Sequence, residues 1–172
     1  ASNATMSVEN VSGFVQGEIA SLKKVSETGF STEYVFINSA SRNDKSSDTD
    51  FSGNLFVTRG YSGSLGGQTG SLGGSPNAAQ DYNPGQVLVS TGRVGTGYIR
   101  LNANPNDSAT PYIDIVERTG SAIYDIELKT RVGDLSGLSS ATLFGNSDPG
   151  FGIFTENGFF KGGINATTGS FT

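Results

Sequence analysis

The side chains of this chain that could do chemistry are carboxylates, amides and tyrosines, because the sequence contains neither His nor Cys. That absence excludes nucleophilic sites built on those two residues and the usual zinc and copper ligand sets. Hydrolysis of a glycoside needs two carboxylates that flank one bond. Asp114 and Glu117 lie three residues apart on a predicted strand and would face opposite sides of it. Asp125 and Glu127 share a face, but with basic neighbours, which predicts a solvated charged ladder. We therefore expect a protein that is not an enzyme and holds no cofactor.

One segment begins like a calcium-binding loop. Residues 48–54 (DTDFSGN) offer oxygen ligands at loop positions one, three and five, followed by Gly53 at position six. Position twelve, where a bidentate Glu normally closes the site, is Arg59, whose charge opposes a cation. We predict a polar turn with Asp side-chain hydrogen bonds and no metal. A second Gly-rich segment, residues 92–97, lacks the Lys of a phosphate-binding loop and leads into a strand, so it predicts a hairpin turn.

Aromatic side chains offer the plausible ligand platform. A tyrosine ring has an apolar face and a polar tip, which suits stacking on a sugar ring. Two of the four candidates flank a Gly/Ser-rich segment and are expected to be the exposed ones, Tyr61 and Tyr82. The candidate ligand-binding residues are Tyr61, Tyr82, Tyr98 and Tyr112.

Composition predicts a mostly-β protein with many turns. The 172 residues include 25 Gly, 11 Phe and 6 Tyr, and no Trp or Cys, so the fold must be held by burial, to which association of chains can add. The formal charge of −5, without a cluster of basic residues, argues against nucleic acid as a partner. No run approaches the ~18 apolar residues of a membrane-spanning helix, so we expect no membrane insertion.

Strand patterns are clearest in three places. Residues 33–38 are apolar on both faces, as in a central strand, and residues 54–59 predict a second strand. Residues 112–118 and the segment from Tyr124 to Val132 predict an antiparallel hairpin joined by a three-residue turn at 119–121. In its second strand, apolar residues alternate with charged ones, which places Ile126 and Leu128 in the core and the charges outside. Two short strands, 151–154 and 158–161, are predicted near the end.

The expected domain organisation has four parts. Residues 1–6 have the composition of an expression scar, and 7–29 predict a linker or a short helix or strand. Residues 30–150 form a globular, antiparallel, sandwich-like β domain with a Gly/Ser-rich loop at 60–84. Residues 151–172 begin a fibre-like β segment.

The last residues, GGINATTGSFT at 162–172, form a Gly-punctuated pattern of small and β-branched residues. Upstream lie TPYIDIVERTG at 110–120 and RVGDLSGL at 131–138. Taken in the order in which they occur along the chain, these segments resemble segments of the tail-fibre and tail-tip proteins of bacteriophages and prophages. The resemblance implies a structural, trimeric component of the virion tail that contacts other tail proteins and contributes to attachment to a host-cell glycan or protein. It implies assembly in the bacterial cytoplasm for a prophage-encoded protein.

A strand this poor in large apolar residues cannot form a core alone, so three copies are expected to bury its side chains together. The residues predicted to mediate oligomerisation are Phe159, Ile164 and Phe171. The main alternative is a carbohydrate-binding β module, of phage origin or from a secreted bacterial adhesin, which recognises surface glycans through exposed Tyr, Asn and Asp loops. A polysaccharide depolymerase is a further alternative, which the lack of a convincing acid pair disfavours.

Overall fold

The computed structural model describes residues 2–26, 29–61, 81–140 and 142–163. Within these ranges the chain forms β-strands and no helix, so no described helix could cross a membrane. The strands are β1 (Ser2–Val8), β2 (Ile19–Ser26), β3 (Gly29–Arg42), β4 (Gly53–Arg59), β5 (Leu88–Ser90), β6 (Gly97–Asn102), β7 (Tyr112–Arg118), β8 (Ile126–Asp134) and β9 (Phe151–Thr155).

The strands form two antiparallel sheets, which confirms the mostly-β prediction. One sheet has five strands in the order β1-β4-β3-β2-β5, and the other has four in the order β6-β7-β8-β9. The chain also divides into two compact units, the first made of residues 1–100 and 115–128 and the second of residues 101–114 and 129–172.

The main core of the first unit lies on one face of the five-stranded sheet. Val35, Ile37, Leu55 and Val57 alternate along β3 and β4 and are fully buried, and Leu22 of β2 packs with them. Burying an aliphatic side chain of this size stabilises the fold by about 1.5–3 kcal/mol. The central position of β3, between β4 and β2, confirms the central strand predicted at residues 33–38.

The first residues of the chain belong to this sheet. β1 pairs antiparallel with β4, from Ser2 opposite Arg59 to Val8 opposite Gly53. Met6 and Val8 are half-buried against the core. The segment expected to be an expression scar therefore supplies an edge strand.

The predicted hairpin forms, with a longer connection than expected. β7 and β8 are neighbours in the four-stranded sheet, but residues 119–125 join them instead of a three-residue turn. Residues 92–97 were predicted to be a hairpin turn, and this is wrong, because they connect β5 and β6, which belong to different sheets. β9 confirms the strand predicted at 151–154, whereas 158–161 form no strand.

The predicted facing of the hairpin is wrong. On β7, Asp114 is fully buried, while Ile113 and Ile115 are 44% and 48% exposed. On β8, Arg131 is buried and Val132 is 43% exposed, and Ile126, assigned to the core, is 37% exposed. A period-two pattern fixes which residues share a face, but not which face is buried. Asp125 and Glu127 are exposed, as predicted, whereas Asp114 and Arg131 pair across the two strands and lie inward.

Candidate interaction surfaces

A buried ion pair lies behind the hairpin in the second unit. Arg131 Nε donates to Asp114 Oδ1 at 2.7 Å, and Arg131 Nη2 donates to Asp114 Oδ2 at 3.0 Å. Such a two-pronged pair satisfies both charges geometrically. Because a buried charge is costly unless it is paired, this contact fixes which face of β7 and β8 points inward in this unit.

Tyr112 completes the same cluster. The guanidinium of Arg131 lies 3.7 Å from the centre of the Tyr112 ring, within the range of a cation–π contact. The Tyr112 hydroxyl accepts a hydrogen bond from Asn102 Nδ2 at 2.9 Å. Tyr112 is only 9% exposed, so it presents no open ring face for the ligand platform predicted at this position.

The opposite side of these strands in the second unit is apolar and exposed. The side chains with large exposed fractions there are Leu101 (75%), Ile113 (44%), Val132 (43%), Phe151 (69%) and Ile153 (69%). Four of them, all except Ile153, line a shallow groove of about 360 Å³. Val132 stands directly opposite Ile153 in the pairing of β8 with β9, so Ile153 shares this side. We call these five residues the apolar face.

β9 contains no charged residue, and the residue of β8 that precedes Val132 on this side is the uncharged Thr130. Thr130 and Thr155, paired across β8 and β9, hydrogen bond through their hydroxyls at 3.1 Å. Beyond β9, Phe159 is 95% exposed and Phe160 is 75% exposed. The other two residues predicted to mediate oligomerisation, Ile164 and Phe171, lie outside the described residues.

Tyr61 is an interior residue, and its predicted exposure is wrong. It is 2% exposed and packs with Ile19 and Ile123 in a second small core of the first unit. Its hydroxyl donates to the backbone oxygen of Ser121 at 2.8 Å. Burial is the main cause that raises the pKa of Tyr61, and the hydrogen bond to Ser121 opposes it.

Tyr82 is half-buried beside a second ion pair. Arg59 donates through Nε and Nη2 to the two carboxylate oxygens of Glu33, at 2.9 and 2.7 Å. The Tyr82 hydroxyl is buried and makes no hydrogen bond to the described residues. Burial and the nearby charge of Glu33 raise the pKa of Tyr82 to about 12. With its polar tip inside, Tyr82 is poorly placed as a sugar platform. Tyr98, on β6, is half-buried.

The segment that begins like a calcium loop forms polar turns. Asp50 Oδ1 accepts the backbone N–H of Ser52 at 2.8 Å, and this contact lowers the pKa of Asp50. Asp44 caps Ser46 in the same way. These hydrogen bonds confirm the predicted turns, and Arg59 is directed to Glu33. Within the described ranges, no group of three or more acidic residues is placed to hold a metal ion.

The first unit contains a feature that sequence reasoning missed. An open groove of about 670 Å³ is lined by uncharged residues of three adjacent strands: Asn3, Ala4, Thr5, Asn38, Phe56, Val57 and Thr58. We call it the amide groove. Asn3, Asn38 and Thr58 lie 20 to 55 positions apart in the chain, so only strand pairing brings them together. The single signal in the sequence is Phe56, an aromatic residue between the core residues Leu55 and Val57.

Comparison of the chain with models of protein families, with curated proteins and with solved structures finds no match.

Proposed function

We propose that this protein is a structural component of a bacteriophage or prophage tail fibre or tail tip, which assembles as a homotrimer and contributes to host-cell attachment. The observation that carries this proposal is the apolar face of the second unit. Its aliphatic and aromatic side chains point outward, while Asp114 and Arg131 of the same strands are buried as an ion pair.

The size of the exposed apolar surface supports association. Each of the five residues of the apolar face is at least 43% exposed, as are Phe159 and Phe160, and clustered exposed apolar residues mark sites of association. A monomer would leave this surface in water, at a substantial cost in free energy.

The chemistry of the apolar face favours copies of the same chain as its partner. Permanent interfaces between identical subunits are more apolar than those of transient complexes, and their centres are depleted of charge. Val132 and Ile153, with the threonines around them, meet that description. A cyclic arrangement of three copies would bring the same face of each chain to one axis and leave no further face of this kind open.

The sequence resemblance supports the assignment to a tail. We propose that the two sheets belong to a sandwich-like globular β domain and that residues 151–172 begin an intertwined fibre segment. The exposed rings of Phe159 and Phe160 are suited to burial among chains in such a segment. Partners in this role are other tail proteins and a receptor on the host surface, and the place of work is the virion tail.

The test is the solution mass of the full chain and of a matched pair of variants. Light scattering coupled to gel filtration at micromolar concentration should give three chains for the natural sequence. Val132→Glu with Ile153→Glu places two charges at the centre of the apolar face and should give a folded monomer. Val87→Glu introduces a charge at another exposed apolar residue, 70% exposed, and should leave the trimer intact.

A shorter chain separates the two candidate interfaces. A chain that ends at residue 157 lacks Phe159 and everything beyond it but keeps β9. If it remains trimeric, the chains associate through the sheet. If it becomes monomeric with unchanged circular dichroism, they associate through residues 158–172. A monomer from the full natural chain at micromolar concentration would refute the proposal.

A further inference from the structure

We propose that the amide groove of the first unit binds a neutral saccharide. This inference names a ligand class for the attachment role proposed above and depends on that role for its biological meaning. Its structural basis is separate, because every lining residue belongs to the first unit and none belongs to the apolar face.

A row of amide and hydroxyl groups crosses three neighbouring strands at the floor of the groove. Asn38 Nδ2 on β3 donates to Thr58 Oγ1 on β4 at 3.0 Å, and Thr58 Oγ1 donates to Asn3 Oδ1 on β1 at 3.2 Å. With strands spaced ~4.8 Å apart, the row spans roughly 10 Å. It is therefore an extended hydrogen-bonding track on one face of the sheet.

The row leaves polar atoms for a ligand. In the described part of the chain, Asn38 Oδ1 has no protein partner and offers an acceptor, and Asn3 Nδ2 at the other end of the track has none and offers donors. Asn3 belongs to the segment that the sequence predicts to be an expression scar, so the proposed site depends mainly on Asn38, Thr58 and Phe56. A sugar hydroxyl can both donate and accept, so it complements both ends. The internal hydrogen bonds hold the two amides in orientation before a ligand arrives, which lowers the entropy cost of binding.

A β-bulge positions the first of these groups. The pairing of β3 with β4 shifts between Ile37, opposite Val57, and Ser39, opposite Phe56, so Asn38 is the additional residue. Bulges redirect a side chain and are enriched next to binding sites. Here the extra residue directs its amide to Thr58, in the next strand.

An aromatic ring stands beside the track. Phe56 is two residues before Thr58 on β4, on the same face, and is 43% exposed, whereas its neighbours Leu55 and Val57 are fully buried. An exposed ring next to fixed hydrogen-bonding groups provides one apolar and one polar contact surface. This combination matches a pyranose, which has a C–H face and a rim of hydroxyls.

The lining favours a neutral ligand over the other candidates. None of the seven lining residues is charged, so the groove offers no ion pair to a phosphate, a sulfate or an acidic sugar. The net charge of −5 disfavours nucleic acid, which could otherwise stack on Phe56.

The experiment is a titration of the full ¹⁵N-labelled chain with maltotriose, cellotriose, lactose and chitotriose, and with sialyllactose as the anionic comparison. At least one neutral saccharide should shift the side-chain amide signals of Asn3 and Asn38. Phe56→Ala and Asn38→Ala should each weaken that binding about tenfold or more. Phe56→Tyr should retain it. The matched control is Phe144→Ala, which removes a ring that is 91% exposed elsewhere.

Each outcome decides the matter. No response to any neutral saccharide, binding that survives Phe56→Ala, or a response to sialyllactose alone would overturn the inference. Melting curves confirm that the variants are folded. If Phe56→Ala does not fold, Asn38→Ala still tests the groove, and Phe56→Tyr shows whether another aromatic ring at position 56 retains binding. Titration of the Val132→Glu, Ile153→Glu variant separates the two proposals, because the groove should bind saccharide in a monomer as in a trimer.

Discussion

Arg131 and Val132 are consecutive in the chain, yet one is buried in an ion pair with Asp114 and the other is 43% exposed on the apolar face. The pair and the face are therefore two consequences of one choice of strand orientation. Turning β8 over would expose Arg131 and bury Val132, and would separate the guanidinium from the carboxylate that now neutralises it.

Removing one partner of this ion pair should be strongly destabilising. Asp114→Ala leaves the Arg131 charge buried and unpaired, which should lower the free energy of unfolding by ~3–5 kcal/mol. Replacing both partners with apolar residues, Asp114→Leu with Arg131→Met, should cost much less. Asp148→Asn, at an exposed position of the same unit, should change stability by under ~0.5 kcal/mol. Urea denaturation provides all three values, and an Asp114→Ala cost as small as the Asp148→Asn cost would contradict the pair's role.

Core and face substitutions should differ in their dependence on concentration. Leu55→Ala opens a cavity in the first unit and should cost ~2–5 kcal/mol at any protein concentration. Ile153→Ala should reduce stability mainly where chains are associated, because assembly contributes to stability by mass action. Thermal melts at two concentrations, a hundredfold apart, compare the two. Equal losses for Ile153→Ala at both concentrations would place Ile153 outside any interface.

Tyr82 should make stability depend on pH in alkaline solution. Its pKa is raised from 10.0 to about 12 in the folded chain, so the neutral phenol is favoured there. Its contribution is complete below pH 10 and is lost as the pH rises toward 12, since the unfolded chain releases the proton first. Tyr82→Phe should lack this loss of stability at alkaline pH, because phenylalanine has no proton to release. Denaturation of both proteins at pH 8, 10 and 11.5 isolates the difference from the other tyrosines.

Gly97 should not tolerate a side chain. A Cβ there would overlap the backbone oxygen of Val116 on the neighbouring strand, so the backbone of β6 must move. Gly97→Ala should therefore cost more than ~2 kcal/mol. Gly13→Ala is the matched control, because nothing lies within 4 Å of a Cβ at that position. Comparable melting temperatures for the two variants would show that β6 yields without cost.

Much of the fold could be predicted because local pattern and burial agree in the first sheet. Residues 33–38 and 54–59 carry large apolar side chains that are stable only when buried. These segments therefore lie in β3 and β4, next to the core. The facing of β7 and β8 could not be predicted in this way. Either face of these strands could be buried, because one is apolar and the other carries charges that can pair. Which face is buried depends on the contact between Asp114 and Arg131 across the strands.

The candidate sites were harder still to predict. Tyr61 borders a Gly/Ser-rich segment, which predicts an exposed ring, but the packing of Ile19 and Ile123 against it makes it a core residue. The amide groove depends on the pairing of β1 with β4 and on a bulge at Asn38, and neither leaves a signature in the sequence. A row of Asn and Thr residues becomes a site only when the register is known.

The pairing of β1 with β4 also determines an order of events during synthesis. β1 lies more than forty residues before the strand it pairs with, so it leaves the ribosome long before β4 exists. Until then its backbone groups have only water as a partner, while β2 and β3, which are nearly adjacent in the chain, can already form a hairpin. β1 is therefore paired only after β4 has been made, and the Asn3 side of the groove is completed only when the two strands pair.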